Sequence, residues 1–399
     1  MRIVHVTSYQ IPGAGYEEIY LAREQVALGH DVTILTSNYL HPPGFYAVLS
    51  RRVPQRQVAP SDDKSEGVRI VRLASREIGG RVWLGGLERQ INEIRPDIVH
   101  CHNVLQFHPM RLALMKAAGR CRFALVVDGH MQTSLMRGTI GGKLFYGFYG
   151  IVAQPLVGRY VAHYSAKNDD ARHFMETACG IRRPIEVITL GVDTETFVAS
   201  NGRRHEWRSR VGIPENAVLF LNTGKLIPAK GLHLLIGAAI QLLQGGSAIH
   251  VAFVGDSEPT LVEAMRQRIK DAGFEDNFHF QPGIPHSELP SVYAAADVGV
   301  WPRLESIAVL EALSSSLPVI INSSSSYAAL IHEGAGLVFD SGDRGSLARA
   351  MLALCEPLKR DTMGAAGRQI VERSYSWRYC AQRYLDAYRR SLDPSPTPS

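Results

Sequence analysis

Short apolar runs rich in β-branched residues alternate with helical patterns along nearly the whole chain. In the first half these runs are RIVHV, DVTILT, VRIVRL, DIVHCH, FALVV, YVAHYS and IEVI, and in the second half VLFLN, IHVAFVG, NFHF, DVGVW, PVIIN and GLVF. Continuous apolar strands separated by helices are typical of parallel sheets covered by helices on both faces. The alternation therefore predicts an α/β protein built from doubly wound parallel sheets.

The length of the chain indicates two domains, because 399 residues exceed what one ordinary hydrophobic core supports. The polar stretch SNGRRHEWRSRVGIPENA interrupts the alternation and indicates an interlobe linker over residues 189–214 that ends in a short helix. We expect one Rossmann-like lobe over residues 1–188 and a second over 215–375. A closing helix over 376–392 precedes a polar tail, 393–399, that we expect to be disordered.

Composition and charge exclude several classes of protein. The net charge of +5 suits an anionic small molecule or membrane surface better than a long nucleic acid, which requires a dense basic stripe. Five cysteines without a C-x-x-C pair favour a reducing cytoplasm. No apolar run is long enough to span a bilayer, and the N-terminus leads directly into a strand, which predicts the absence of a signal peptide.

Two similar strand-to-helix turns occur, one at the start of each predicted lobe. TSYQIPGAG, residues 7–15, follows RIVHV, and TGKLIPAKG, residues 223–231, follows VLFLN. Ligands of open α/β sheets bind beyond the carboxyl ends of the strands. Only the second turn carries cations, Lys225 and Lys230, and Gly224 beside them allows close approach of the backbone to a ligand. Ammonium groups near helix-terminal amides are typical of a diphosphate site, although solvated surface lysines are the alternative.

The segment DVGVWPRLESIAVLEALSSSLPVIIN has the pattern strand, loop, helix, loop, strand. Ser306 is placed to cap this helix, which would leave the amides of Ile307 and Ala308 available to an anion. Glu305 and Glu311 flank the turn. Since carboxylates repel phosphates and accept hydrogen bonds from hydroxyls, these acids indicate a ribose, a sugar or both. The alternative is a surface acid at the first position and an acid on the helix face at the second.

These residues and motifs resemble the retaining GT-B glycosyltransferases of family 4. The segments LNTGKLIPAKGLHLLIGA and VWPRLESIAVLEALSSSLPVI are similar to the family patterns G-R-L-x-x-x-K-G-x-x-x-L-I-x-A and P-S-x-x-E-G-F-G-L-V-x-L-E-A-M-A-x-G-x-P-V-I. RPDIVHCH, ITLGVDTETF and YSWRYCAQRYLDAY resemble further segments in the same order. The resemblance covers nearly the whole chain. It implies two Rossmann-like lobes that face each other across a cleft, with the nucleotide-sugar donor bound mainly by the C-terminal lobe.

The resemblance assigns roles to several of these residues. In the family the Arg of G-R-L and the Lys of K-G hold the diphosphate, and these positions are Lys225 and Lys230 here. The uncharged turn with Gly13 and Gly15 would leave room for phosphate and for sugar or acceptor. His130, in FALVVDGHMQTS, matches the family histidine near the donor sugar, where an imidazole can donate to a hydroxyl or to a developing oxyanion.

The glutamate motif departs from the family pattern. Counting back from Glu311, which the resemblance assigns to the ribose, the position of the family's first glutamate holds Arg303. If Glu305 instead takes that catalytic-site role at the donor sugar, the loop is two residues shorter than the pattern. Arg303 would then be available for a phosphate contact. Both alternatives remain open, and they bear on the sugar specificity.

Three further residues of the first lobe are better explained by structural roles than by catalysis. We interpret His100 and His102, at the end of a predicted strand, as structural residues. We favour a loop residue for Asp128, with an acid of the acceptor site as the alternative. No D-x-D motif occurs, and lysines with a helix dipole can neutralise a diphosphate without magnesium. We therefore expect neither a metal nor a cofactor, with the nucleoside-diphosphate sugar as donor substrate.

The resemblance predicts a retaining enzyme that transfers a sugar from a nucleoside-diphosphate sugar to a hydroxyl acceptor in glycan, glycolipid or glycoconjugate biosynthesis. A binding or scaffold protein with a GT-B shell and an eroded donor site is the alternative, supported by the irregular glutamate motif. A sugar-nucleotide epimerase shares the architecture but not this set of motifs.

The aromatic stretch GKLFYGFYGIVAQPLVGRYVAHYS leaves the question of a membrane partner open. It is typical either of a buried helix followed by a strand, which we favour for most of it, or of an interfacial helix. We expect a cytoplasmic protein without a nucleic-acid partner, with peripheral contact at the inner membrane face as the open alternative.

Overall fold

The structure is a computed structural model that describes residues 1–13, 15–42, 53, 55–131, 145–304 and 306–393. The chain forms two compact units. The first contains Met1–Leu190 and the segment that begins at Trp377, and the second is Gly191–Ser376. Each unit has its own largely parallel sheet, which confirms the predicted α/β class with two Rossmann-like lobes.

The first unit contains ten strands among its described residues. They are β1 (Arg2–Val6), β2 (Asp31–Ser37), β3 (Ser61–Ser65), β4 (Val68–Leu73), β5 (Ser75–Ile78), β6 (Arg81–Leu84), β7 (Ile98–Cys101), β8 (Ala124–Gly129), β9 (Val161–Ala166) and β10 (Ile185–Val187). Eight of them form a sheet in the order β10-β9-β8-β7-β1-β2-β4-β3, in which only β3 runs antiparallel to its neighbour. Strands β5 and β6 form a separate hairpin.

Helices cover both faces of this sheet. They are Glu17–Ala27, Leu87–Ile94, Phe107–Ala117, a helical stretch over 145–158 with a π-helical turn at Tyr149–Ala153, Asp169–Thr177 and Trp377–Leu392. In β1, Val4 and Val6 belong to one apolar cluster and Ile3 to another, as alternation along a strand requires. The closing helix packs on the first helix and on β8 and β9.

The second unit contains a six-stranded, fully parallel sheet in the order β13-β12-β11-β14-β15-β16. The strands are β11 (Val218–Thr223), β12 (Ile249–Val254), β13 (Phe278–Gln281), β14 (Val298–Trp301), β15 (Val319–Asn322) and β16 (Gly336–Phe339). The α-helices are Asn201–Val211, Leu232–Gln244, Pro259–Asp271, Leu289–Ala295, Ala308–Ser314, Ala328–Leu330, Arg344–Ala353 and Pro357–Ser374.

The segment expected as a linker is built into the second unit. Ser200 caps the helix Asn201–Val211 by accepting from the amide of Arg203, and Gly212 ends it in the left-handed conformation. Arg208 on this helix is fully buried and donates to Asp297 at 2.6 Å and to a backbone carbonyl at 2.8 Å. A buried guanidinium with these partners anchors the helix. The polar sequence of this segment did not predict such a contact.

Every apolar run predicted as a strand is a strand in the structure, whereas the short strands β3, β5 and β6 were not predicted. In the first helix Leu21, Ala22 and Gln25 are fully buried, and Glu17 and Glu18 at its start are buried as well. The expected disordered tail lies outside the described residues apart from residue 393.

Candidate active site

The turn at residues 223–231 brings Gly224 and Lys230 together at the carboxyl end of β11. Gly224 has a φ of +108°, and a Cβ atom added to it would lie 2.5 Å from Nζ of Lys230. Glycine is therefore required for this lysine to fold back over the end of the strand. The Lys230 side chain is buried, and its ammonium donates to the carbonyl oxygen of Thr223 at 3.4 Å.

Arg303 lies against the same turn. A Cβ atom on Gly231 would lie 3.2 Å from Cγ and 3.3 Å from Cδ of Arg303, so the arginine side chain packs directly on the turn. Lys225, Lys230 and Arg303 thus approach one edge of the second sheet. The role of Arg303 as a phosphate contact stays a prediction.

Burial shifts the pKa values of both lysines of this turn, and a neighbouring cation adds to the shift of Lys230. Burial, reinforced by the charge of Lys225, lowers the pKa of Lys230 from 10.5 to about 8. Burial also lowers the pKa of Lys225. A bound anion would relieve both the repulsion and the desolvation of Lys230, so this edge of the sheet is suited to a diphosphate.

Glu311 is not an acid on an exposed helix face. Its side chain is buried in the helix Ala308–Ser314, where Oε1 accepts from Nε2 of His286 at 2.8 Å and Oε2 accepts from the hydroxyl of Tyr293 at 2.7 Å. The Tyr293 hydroxyl also lies 2.8 Å from Oγ1 of Thr223. Burial alone would lower the pKa of His286, but the hydrogen bond to Glu311 outweighs it and raises that pKa. This chain of contacts links the glutamate helix to the lysine turn.

The predicted anion cradle of the glutamate helix differs in the structure. Ser306 does not cap this helix as predicted, because Ile307 occupies the N-cap position and no side chain caps it. The amide of Ala308 donates to Oγ of Ser306 at 3.4 Å, so this amide already has a partner. Ile307 precedes the seven-residue helix in helical backbone conformation. Glu305 lies outside the described residues.

The uncharged turn of the first unit contains two glycines in the left-handed conformation. Gly13 and Gly15 both have a φ of +70°, and a Cβ atom on Gly13 would meet no atom within 4 Å. Backbone conformation, and not lack of space, therefore requires glycine at residue 13. The room expected there for a ligand stays a prediction.

Asp128 is a strand residue and not a loop residue. It lies in β8, fully buried, and its carboxylate accepts from Nδ1 of His102 and from the amide of Asn103, both at 2.8 Å. The ammonium of Lys167 lies 3.1 Å away. Burial raises the pKa of Asp128, but the charges of His130 and Lys167 outweigh burial and hold the pKa well below its usual range. Asp128 is thus the ionised centre of a buried network.

His130 follows β8 and faces two carboxylates. Its Nε2 lies 2.9 Å from Oδ1 of Asp128, and its Nδ1 lies 3.6 Å from Oε2 of Glu17. Burial lowers the pKa of His130, but these carboxylates outweigh burial and raise the pKa to about 9. His130 is therefore an imidazolium at neutral pH, which can donate a hydrogen bond but cannot act as a base.

His100 and His102 lie inside the fold, in agreement with their structural interpretation. Nε2 of His102 lies 3.0 Å from Nδ1 of His5, and Nδ1 of His100 lies 2.8 Å from the hydroxyl of Tyr388 on the closing helix. Burial lowers the pKa of His5 to about 3 and that of His100 well below its usual value, so both are neutral. Both histidines are part of the buried core next to Asp128.

Two groups of side chains among the described residues bring metal-ligand atoms within 4.8 Å of one another, namely His5, His100 and His102, and Glu17, His102, Asp128 and His130. In the first group His5 and His102 lie 3.0 Å apart, and in the second Asp128 lies 2.8 Å from His102 and 2.9 Å from His130. The ammonium of Lys167 beside Asp128 also opposes a further cation. The expectation that the protein needs no metal stays a prediction.

Glu17, Lys167 and Tyr384 are site residues that the sequence analysis missed. Glu17 opens the first helix directly after the glycine turn, and Lys167 follows β9. Both positions lie at carboxyl ends of parallel strands, which is the signal that could have revealed them. Tyr384 comes from the closing helix, and nothing in its local sequence indicates that it reaches this site.

Comparisons with known proteins agree with this arrangement. The family model Glycosyltransferase Family 4 matches residues 19–196, and the model Glycosyl transferases group 1 matches residues 203–370. A glycosyltransferase from Rickettsia africae ESF-5 has a similar structure, with a TM-score of 0.73 at 15% identity over 99% of each chain. Anabaena HepE, solved in complex with UDP, has a TM-score of 0.73 at 17% identity over 98% of this chain and all of that chain.

A curated relative resembles the sequence more closely over a shorter region. The GDP-mannose-dependent alpha-(1-6)-phosphatidylinositol monomannoside mannosyltransferase of Mycolicibacterium smegmatis is 28% identical over 214 residues, which cover 51% of this chain and 55% of that protein. The chain thus spans about half the length of the curated relatives it matches.

The two parallel-sheet units and their structural neighbours define a protein of the GT-B fold. The two family models together match most of the chain, from residue 19 to residue 370. The chain therefore belongs to the group 1 type of glycosyltransferases in family 4.

Proposed function

We propose that this protein is a retaining glycosyltransferase that moves a sugar from a nucleoside-diphosphate sugar to a hydroxyl acceptor. The observation that carries this proposal is the approach of Lys225, Lys230 and Arg303 to one edge of the second sheet, close to the buried Glu311. The cations suit a diphosphate, and the glutamate with its partner His286 suits a ribose. An eroded site would not be expected to keep these groups together.

The proposed mechanism needs no protein nucleophile. Lys225 and Lys230 stabilise the negative charge that develops on the leaving diphosphate, which in turn accepts the proton of the acceptor hydroxyl on the same face of the sugar. His130, as an imidazolium, donates to a sugar hydroxyl and orients the donor. Preorganised charge supplies the catalysis, and no cofactor takes part.

Donor and acceptor follow from chemistry and from relatives. Anabaena HepE was solved with UDP, and the M. smegmatis relative is named for GDP-mannose and a phosphatidylinositol mannoside. We propose a UDP- or GDP-sugar as the donor and a glycan or lipid-linked hydroxyl as the acceptor.

The first test is a thermal-shift screen of UDP, GDP, ADP and dTDP and their sugars, followed by a transfer assay with the nucleotide that binds. At 100-fold excess over its Kd, a ligand adds about 2.7 kcal/mol to the free energy of unfolding. We expect a clear shift with one base. If no nucleotide shifts the transition and no nucleotide-sugar is consumed, the eroded-site alternative is correct.

We further propose that the protein works in the cytoplasm in peripheral contact with the inner membrane face. Over residues 145–158, one helical stripe exposes Phe148, Ile151, Val152 and Leu156, with exposed fractions between 43% and 79%. Beside this helix lies a groove of about 860 Å³, which is also lined by Arg159, Arg182 and Arg183. Apolar side chains next to guanidinium groups suit a bilayer with anionic headgroups.

No helix among the described residues has both the length and the apolar character needed to cross a bilayer. The rest of the aromatic stretch behaves as the buried-helix interpretation predicted, since Tyr149, Ala153 and Val157 lie in the core. Residues 142–144 of that stretch lie outside the described residues.

The membrane contact predicts a specific loss on mutation. In co-sedimentation with vesicles of phosphatidylcholine and phosphatidylglycerol, the double variant Ile151→Ser, Leu156→Ser should bind about tenfold more weakly, because less apolar surface is buried in the bilayer. Leu114→Ser is the matched control, since Leu114 is 59% exposed on a different helix. Equal loss in both variants, or wild-type binding unchanged in pure phosphatidylcholine, would contradict the proposal.

A further inference from the structure

Four charged side chains of the first unit form a closed ring in which acids and bases alternate. The ammonium of Lys167 contacts Oε1 of Glu17 and lies 3.1 Å from Oδ2 of Asp128. The other oxygen of each carboxylate faces His130, with Oδ1 of Asp128 at 2.9 Å from Nε2 and Oε2 of Glu17 at 3.6 Å from Nδ1. Each acid thus bridges both bases, and the ring is neutral only when the imidazole is protonated.

The ring is buried on one side and open on the other. The side chains of Glu17, Asp128 and Lys167 are exposed by 7% or less, whereas 34% of the His130 side chain is exposed. Charges removed from water interact more strongly than surface charges do. The three buried groups therefore act on a histidine that a ligand can still reach.

The closing helix contacts Lys167, the buried base of the ring. The hydroxyl of Tyr384, in the helix Trp377–Leu392, accepts from the ammonium of Lys167 at 2.6 Å. Tyr384 is buried, and its hydroxyl also lies 3.3 Å from Oγ of Ser165. Lys167 follows β9 directly, so its position depends both on the sheet and on a helix more than 200 residues later in the chain.

Two further histidines of the described chain lie near His130. The ring of His102 is 6.2 Å from that of His130, and its Nδ1 is hydrogen-bonded to Asp128. His100 lies 3.2 Å from the same carboxylate and is neutral because burial lowers its pKa. Among the described residues, His130 faces the carboxylates of Glu17 on the first helix and Asp128 in β8, and Lys167 contacts both of these acids.

We infer that Lys167 is a positioning residue for His130, which acts through Glu17 and Asp128 and is itself held by Tyr384. The inference rests on the proposed function, because only there is His130 assigned to the donor sugar. Lys167 occupies one oxygen of each carboxylate. Without Lys167, Glu17 could turn towards the imidazolium, whereas with it Nδ1 of His130 stays 3.6 Å from Glu17, beyond hydrogen-bond distance, and can donate to a ligand oxygen.

The test is an NMR titration of His130 in the full chain labelled with ¹³C-histidine. The variant His130→Gln identifies its signal among the 15 histidines. In Lys167→Met the midpoint should rise by about one pH unit, because a nearby positive charge is lost and both carboxylates act on the imidazole alone. Lys167→Arg, which keeps the charge, should return the midpoint towards the wild-type value. A well-folded Lys167→Met protein with an unchanged midpoint overturns the inference.

A second variant keeps the test decisive if Lys167→Met does not fold. Glu17→Gln is isosteric and removes one of the two acids, so the midpoint of His130 should fall by about one unit. No change in that variant overturns the ring as described. The nucleotide screen separates this result from the proposed function. Binding and transfer with an unaltered His130 refute only the positioning role, and shifted midpoints without any nucleotide binding refute only the function.

Discussion

Lys230→Ala should weaken the binding of the nucleoside diphosphate, and lower turnover, by about 100-fold. Lys230 is buried at the end of β11 with its ammonium directed over Gly224, so its side chain is already ordered before a ligand arrives. A hydrogen bond from a charged donor to a phosphate contributes about 1.5–3 kcal/mol, and a preorganised donor loses little entropy on binding. Isothermal titration with the nucleotide found in the screen measures the affinity directly.

The matched control for this prediction is Lys270→Ala. Lys270 is exposed on the helix Pro259–Asp271 of the same unit, so its loss removes the same charge away from the lysine turn. The control should retain wild-type affinity and turnover. Unchanged turnover in a folded Lys230→Ala protein would refute the proposed donor site. Equal losses of affinity in both variants would indicate a general effect of charge.

The affinity for the diphosphate should fall as the pH rises above about 8. Burial and the charge of Lys225 lower the pKa of Lys230 from 10.5 to about 8, so the free protein carries the binding ammonium below this pH and loses it above. A bound diphosphate favours the ammonium and raises its pKa. Affinity should therefore be constant below pH 7 and decrease by up to about tenfold per pH unit above 8.

Calorimetry can test the proton linkage itself. At pH 8.5, titrations in two buffers with different ionisation enthalpies should reveal an uptake of up to about one proton per nucleotide bound. Lys230→Ala should abolish most of this uptake. Equal affinities at pH 7 and pH 9.5 in the wild-type protein would contradict the prediction.

The stability of the empty protein should change in the opposite sense. Because the pKa of Lys230 is lower in the folded protein than in the unfolded chain, unfolding takes up a proton between about pH 8 and 10.5. Through this group the free energy of unfolding rises with pH across that window, since the cost of burying a charged lysine disappears. The binding and stability effects therefore have opposite signs.

The sequence was most informative where one local signal decides the structure. Runs such as VLFLN and PVIIN are apolar at every position before their final asparagine, a pattern that is typical of a strand buried on both faces. Gly224 and Lys230 were found because a glycine and a cation follow such a strand, and the structure brings them together. Strands β3 and β5 carry no comparable signal, because none of their residues is buried. Strand β6 has only four residues, of which Val82 and Leu84 are buried.

Chemistry that depends on distant residues could not be predicted. Asp128 was interpreted as a loop residue because the extent of β8 and the partners of its carboxylate are set by neighbouring strands. Glu311 was placed correctly on its helix, but its contacts with His286 and Tyr293 depend on a loop and a helix elsewhere in the second unit. The spacing of residues along the chain does not predict such contacts.

By itself, the sequence determined the α/β class, the two lobes, the family and the identity of the lysine turn, because strand patterning and short motifs are local properties. Only the tertiary structure decided that Glu17, Asp128, Lys167 and His130 form one ring. It also decided that Tyr384 on the closing helix contacts Lys167. These residues come from a helix, a strand and loops far apart in sequence. Their charges interact strongly because folding removes them together from water, which no stretch of the sequence can do alone.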